Sequence, residues 1–158
     1  TPFQWATMCT KEEFLRRAYL VKDKFRQMLN YKSLKYNYHE ADLTVLEGVL
    51  ARGDRKVAKA IRSAYEKGCL FDSWSEYFHN DLWMEAFAQT GVDPDFYTVR
   101  ERSEEEVFPW DFIDIGVTKK FLLREWKKAH EEKITTNCRQ GCSGCGAATF
   151  GGGVCYEH

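Results

Sequence analysis

The last 21 residues constrain this chain most, because they have too little apolar surface to fold around a core. Residues 137–158 carry six of the 11 glycines and, apart from Val154, no large aliphatic residue. They also carry four of the six cysteines: Cys138, Cys142, Cys145 and Cys155. If this segment is ordered, something other than hydrophobic burial orders it. Thiolate–metal bonding can do so, since binding would release protons and fold the ligand loop in one step.

The spacing is Cys138-x3-Cys142-x2-Cys145, followed by nine residues and Cys155. Gly141, Gly144 and Gly146 lie between and beside the thiols. Glycine permits the positive φ angles of a tight ligand loop and lets backbone N–H groups approach sulfur. Four thiolates suit tetrahedral zinc or an iron–sulfur cluster such as [4Fe–4S]. Cys138, Cys142, Cys145 and Cys155 are therefore the expected ligands, with His158 as an alternative to Cys155. The same three-cysteine spacing holds the cluster of radical SAM enzymes, where one iron stays open. A fourth cysteine points instead to a closed site, structural or electron-transferring. Only 13 residues follow Cys145, too few to bind SAM or enclose a radical. Cys9 and Cys69 are isolated and expected to be packed thiols.

Six cysteines are too few for a disulfide scaffold, and no basic start runs into an apolar stretch as in a secretory signal. A reducing, cytoplasmic compartment is the matching expectation. The chain has the length of one ordinary domain, with 44% apolar and 30% charged residues. No run of 18 apolar residues occurs, so no membrane partner is expected. The formal charge of -1 excludes a global basic field that would recruit nucleic acid or anionic lipid. The chain starts at Thr1 rather than Met, as a processed chain or a piece of a longer one would.

Helical patterning dominates the rest. Thr10 reads as an N-cap with Glu13 at the capping-box position. Phe14, Ala18, Val21, Phe25 and Met28 then form one stripe on a helix over 11–29. Leu34, Tyr36 and Tyr38 alternate with Lys35 and Asn37, which predicts a short strand. Leu43, Leu46 and Leu50 share a helical face ending near Gly53. Asp54 caps a further helix with Val57, Ile61 and Ala64 inward, closed by Gly68. Asn80 or Asp81 starts a helix bearing Leu82, Trp83, Ala86 and Phe87, closed by Gly91. Thr118 caps a last helix over 119–132, with Leu122, Trp126 and Ala129 on one side.

Several unusual strings occur in an order that resembles a known family. The opening TPFQW, then LEGVLARGDRKVAKAI (Leu46 to Ile61), GCLFDSWSEYF (Gly68 to Phe78), LWMEAF (Leu82 to Phe87), FPWDFIDIGV (Phe108 to Val117) and CRQGCSGCG (Cys138 to Gly146) are similar to the C-terminal third of radical SAM proteins that contain a cobalamin-binding domain. The resemblance covers essentially the whole chain. It implies an α+β, mostly helical fold: residues 1–38 as the end of an incomplete β/α (TIM-like) barrel, 39–136 as a helical extension, and 137–158 as a cysteine-rich metal-binding tail. It also implies a parent enzyme that cleaves SAM reductively, in a methylation or related modification. The cobalamin domain and the SAM-cleaving cluster would lie before Thr1, so this fragment alone is expected to be inactive. The partners of the chain are then that missing barrel and cobalamin domain.

A second expectation from a different class is a zinc-stabilised module that binds RNA or protein. Lys119, Lys120, Arg124, Lys127 and Lys128 could face RNA, although Glu125, Glu131 and Glu132 favour a plain amphipathic helix. Trp74, Tyr77, Phe78, Trp83 and Phe87 could stack nucleobases, but such spacing is more often core. His39, Glu40 and Asp42 read as a solvated turn more readily than as a substrate site at a barrel edge. His79 and Asp81 are similarly ambiguous. Arg52-Gly53-Asp54 reads as a cap and turn.

Overall fold

A computed structural model describes residues 1–151 and contains six α-helices among them. These are α1 (Lys11–Arg26), α2 (Ala41–Arg52), α3 (Val57–Glu66), α4 (Asn80–Thr90), α5 (Pro94–Tyr97) and α6 (Lys119–His130). No strand occurs among the described residues, which overturns the α+β expectation and the barrel remnant placed at 1–38. The chain divides into two compact units, one of residues 7–100 and one of residues 1–6 with 101–158.

In the larger unit, Thr10 caps α1 as its sequence position suggests, accepting the Glu13 N–H on its hydroxyl at 3.3 Å. The Glu13 carboxylate is taken by Arg16 and Arg17, both at 2.6 Å. Arg16 first, then Arg17, draws that carboxyl down to about 2. The helix stops at Arg26, short of the expected 29.

The residues expected as a strand run back along α1 in extended form. Tyr36 packs edge-on against Phe25 and Tyr38 against Phe14, with ring centroids 5.7 and 6.0 Å apart. The two-residue alternation is real, since Leu34 and Tyr36 are half-buried while Lys35 and Asn37 are exposed. It reflects an extended segment lying on a helix. A strand also needs a backbone partner, and no described residue provides one.

The core of this unit is built by α2 to α5 from Leu43, Leu46, Val49, Val57, Ala60, Ala64, Trp83, Ala86, Phe87, Val92 and Tyr97. Small residues set its centre: Ala60, Ala64 and Ala86 are all at 0% exposure, so α3 and α4 can approach closely. Ile61 and Leu50, expected inward, lie at the helix edges at 45% and 42% exposure, and Ala60 and Val49 take their places. Gly48, inside α2, lets the end of the Met8 side chain and the Thr98 methyl pack close to the helix backbone. A Cβ there would lie 2.5 Å from the Met8 sulfur and 3.1 Å from the Thr98 methyl.

In the smaller unit, Pro2–Trp5 forms a single 3-10 turn rather than the end of a barrel strand. Trp5 is buried against Phe108 and Trp126, at centroid distances of 5.8 and 6.4 Å. Aromatic packing with α6 and the Phe108 segment thus replaces the sheet that TPFQW was expected to join. The Trp110 indole N–H donates to the Gln4 amide oxygen at 2.8 Å. Lys119 donates to the Glu106 carbonyl at 2.7 Å and to the Asp111 carboxylate, and its ammonium stands 4.7 Å from the centre of the Phe108 ring. No helix among the described residues is long and apolar enough to cross a membrane.

Candidate metal centre

The cysteine loop is shaped by its glycines and held by α6. Gly144 and Gly146 adopt φ of +67° and +103°, a region that side-chain-bearing residues rarely enter. The Gly146 reversal aims the N–H that follows it back at a thiol. The Gly144 N–H donates to Cys142 Sγ, and the Ala147 N–H donates to Cys145 Sγ, both at 3.4 Å. Such donors stabilise negative charge on sulfur, which is the form that binds metal. Cys138 sits in the preceding turn, where the Asn137 side chain accepts the Arg139 N–H at 2.9 Å.

Three contacts fix the loop to the start of α6. The Thr118 N–H donates to the Cys145 carbonyl at 3.0 Å. A Cβ on Gly146 would fall 2.5 Å from the Gly116 carbonyl oxygen, so only glycine allows this approach. The Arg124 guanidinium donates to the Ser143 carbonyl and lies over the Phe121 ring at 4.9 Å. Thr118 also caps α6, its hydroxyl accepting the Phe121 N–H at 3.1 Å. One residue therefore starts the helix and secures the loop. Neither Thr118 nor Arg124 was identifiable as an anchor from sequence, because both contacts join residues 19 or more positions apart and no local pattern marks them.

Cys138 and Cys142 are exposed, Cys145 is half-buried, and all three are free thiols. Cys155 and His158 lie outside the described residues. Among the described residues, no three Cys, His, Asp or Glu side chains are grouped so as to hold a metal ion. The loop thus gives Cys142 and Cys145 an amide donor each, and among the described residues the thiols do not form a three-ligand group. The donor set suits a thiolate-ligated metal or cluster by its chemistry: three thiols that form no disulfide with a described residue, and backbone N–H donors aimed at two of them.

The remaining candidates resolve simply. Cys69 is buried, and burial, then Asp72 and Asp81, pushes its thiol pKa up, as expected for a packed thiol. Cys9 is exposed, contrary to expectation. Asp42 pairs with Lys11 at 2.6 Å, and His39 lies 3.9 Å from Glu47, so the supposed barrel-edge site is a set of surface pairs. Within the tripeptide 52–54, Asp54 accepts the Lys56 N–H and Arg52 donates to the Thr98 carbonyl, a turn as expected, but the N-cap of α3 is Lys56 and not Asp54. On α6, Lys119 pairs with Asp111, Lys127 with Glu104 and Lys128 with Glu125. Trp83 and Phe87 are core residues, whereas Trp74 and Tyr77 are exposed. Comparison with protein-family models, curated proteins and solved structures finds no match.

Proposed function

We propose that Cys138, Cys142, Cys145 and Cys155 ligate an iron–sulfur cluster, and that the chain is the C-terminal region of a radical SAM enzyme linked to cobalamin. In this reading the cluster is auxiliary: it relays electrons or walls part of a substrate pocket, while SAM and cobalamin bind elsewhere in the parent protein. The observation that carries the metal site is the pair of N–H···S bonds at Cys142 and Cys145, in a loop where Gly144 and Gly146 adopt positive φ. The wider assignment rests on the ordered resemblance from TPFQW to CRQGCSGCG, without any barrel element among the described residues.

The second reading is a zinc-stabilised binding module. The bracing of the loop by Thr118 and Arg124 supports it, since a structural knuckle needs a rigid base. Of its two partners, protein is favoured over RNA, because acidic residues pair with three of the α6 lysines.

Metal content and the visible spectrum of anaerobically purified protein, wild type beside Cys142→Ser, separate these readings. About four irons per chain with broad visible absorption, lost in the variant, is the expected result. One zinc and no visible band selects the module. Neither metal in the wild type rejects both.

A further inference from the structure

The segment between α3 and α4 exposes aromatic surface in a pattern its backbone explains. The Trp74 N–H donates to the Phe71 carbonyl at 3.0 Å, and the Tyr77 N–H donates to the Trp74 carbonyl at 2.9 Å. Successive bonds of this kind wind the chain at three residues per turn, so residues three apart share a face. Phe71, Trp74 and Tyr77 therefore stand together, with the Phe71 ring edge-on to both others at 6.0 Å. They are 56%, 56% and 54% exposed, and Leu70 beside them is 56% exposed. Apolar rings gathered in water at this density mark a surface that something else covers.

Charge selects the occupant. From Gly68 to Val99 the chain has no lysine or arginine but has six acids: Asp72, Glu76, Asp81, Glu85, Asp93 and Asp95. Glu85 is neutralised by Lys67 at 2.8 Å. Asp72, Glu76 and Asp81, the acids nearest the rings in sequence, form no salt bridge with a described residue. One Asp72 carboxylate oxygen is buried and accepts no hydrogen bond from a described residue. Phosphate backbones and anionic lipid would be repelled here. A guanidinium or ammonium would gain twice, from the faces of the rings and from the carboxylates.

We propose that the face of Phe71, Trp74 and Tyr77 docks a segment of a partner protein in which arginine or lysine alternates with apolar residues. The cations sit over the rings and reach Asp72 and Glu76, while the apolar residues cover Leu70 and the ring edges. This inference is independent of the metal site.

The test uses the full chain and three labelled probes followed by fluorescence anisotropy: a peptide alternating Arg and Leu, the same peptide with Glu for Arg, and oligouridylate. The Arg peptide is expected to bind, and added salt to weaken it. Trp74→Ala is expected to weaken it about tenfold. Glu76→Lys should weaken it similarly and improve the Glu peptide. Failure of the Arg peptide to bind, equal binding of the Arg and Glu peptides, or an affinity indifferent to Trp74→Ala overturns the proposal. So does tighter binding of oligouridylate, or self-association of the chain alone that Trp74→Ala abolishes, which would make a second copy the occupant. Circular dichroism checks that each variant folds. Should Trp74→Ala unfold, Glu76→Lys decides by the same readings.

Discussion

Tyr97 shows how one side chain ties the core of the larger unit to its surface. It is 5% exposed, and its hydroxyl donates to the Asp54 carboxylate at 3.0 Å. Burial, then the hydrogen bond to Asp54, pushes the phenol up from 10.0 to about 12. The folded state holds this proton more tightly than the unfolded chain does. Its contribution to stability is therefore intact below pH 10 and is lost as pH rises towards about 12. Tyr97→Phe should cost about 1 kcal/mol at neutral pH in denaturant unfolding. It should also flatten the alkaline loss of stability that the wild type shows. Arg124 makes a second residue-scale prediction. If its bond to the Ser143 carbonyl positions the ligand loop, Arg124→Ala should weaken metal retention against a chelator about tenfold. Arg124→Lys should recover part of that loss, since one donor and the charge remain. Equal retention in all three proteins would show that the loop needs no such anchor.

The helix pair α3 and α4 depends on residues too small to announce themselves. Ala60, Ala64 and Ala86 are fully buried, whereas the larger Ile61 is nearly half exposed. A hydrophobicity pattern ranks Ile61 above Ala60 as a core position, yet close helix approach reverses the order. Ala86→Leu is expected to destabilise by about 1–3 kcal/mol through overpacking. Ile61→Ala should cost less than about 1 kcal/mol, because much of its side chain is already in water. Chemical denaturation of both variants checks the ranking, and a larger loss for Ile61→Ala would contradict this account of the helix contact. The extended stretch after α1 teaches a related point. Its alternation was legible, but alternation specifies only which side chains face inward. Whether a strand forms depends on a neighbouring backbone, and here the neighbour of Tyr36 and Tyr38 is a helix.

At the scale of the whole molecule, the two units hold together by different means. The unit of residues 7–100 has an aliphatic and aromatic core drawn from four helices. The unit of residues 1–6 and 101–158 relies on the aromatic group of Trp5, Phe108, Trp110 and Trp126, with the cysteine loop bound to α6. A metal on that loop would stabilise the second unit by mass action. A chelator should therefore lower the melting temperature of that unit and leave the other unchanged. The five tryptophans make the measurement direct: Trp5, Trp110 and Trp126 report one unit, Trp74 and Trp83 the other. Fluorescence melts of a variant with Trp74 and Trp83 replaced by Phe follow the unit that carries the cysteine loop alone.

The sequence by itself determined the longer helices, though not every start: α3 begins at Val57 behind Lys56, and Asp54, the expected cap, accepts the Lys56 N–H instead. Thr10 and Thr118 cap α1 and α6 with their hydroxyls, and Gly91 ends α4 in the left-handed conformation. Caps and periodic stripes are local properties, fixed within a few residues. It also singled out the cysteine loop, since thiols alternating with glycines have a restricted chemistry. Only the tertiary structure decided that no sheet forms among the described residues, that TPFQW turns and buries Trp5 among distant aromatics, and that Arg124 and Thr118 hold the loop. Those outcomes depend on which surfaces meet across long stretches of chain. A packing preference shared by helix and sheet cannot choose between them until the partner is in place.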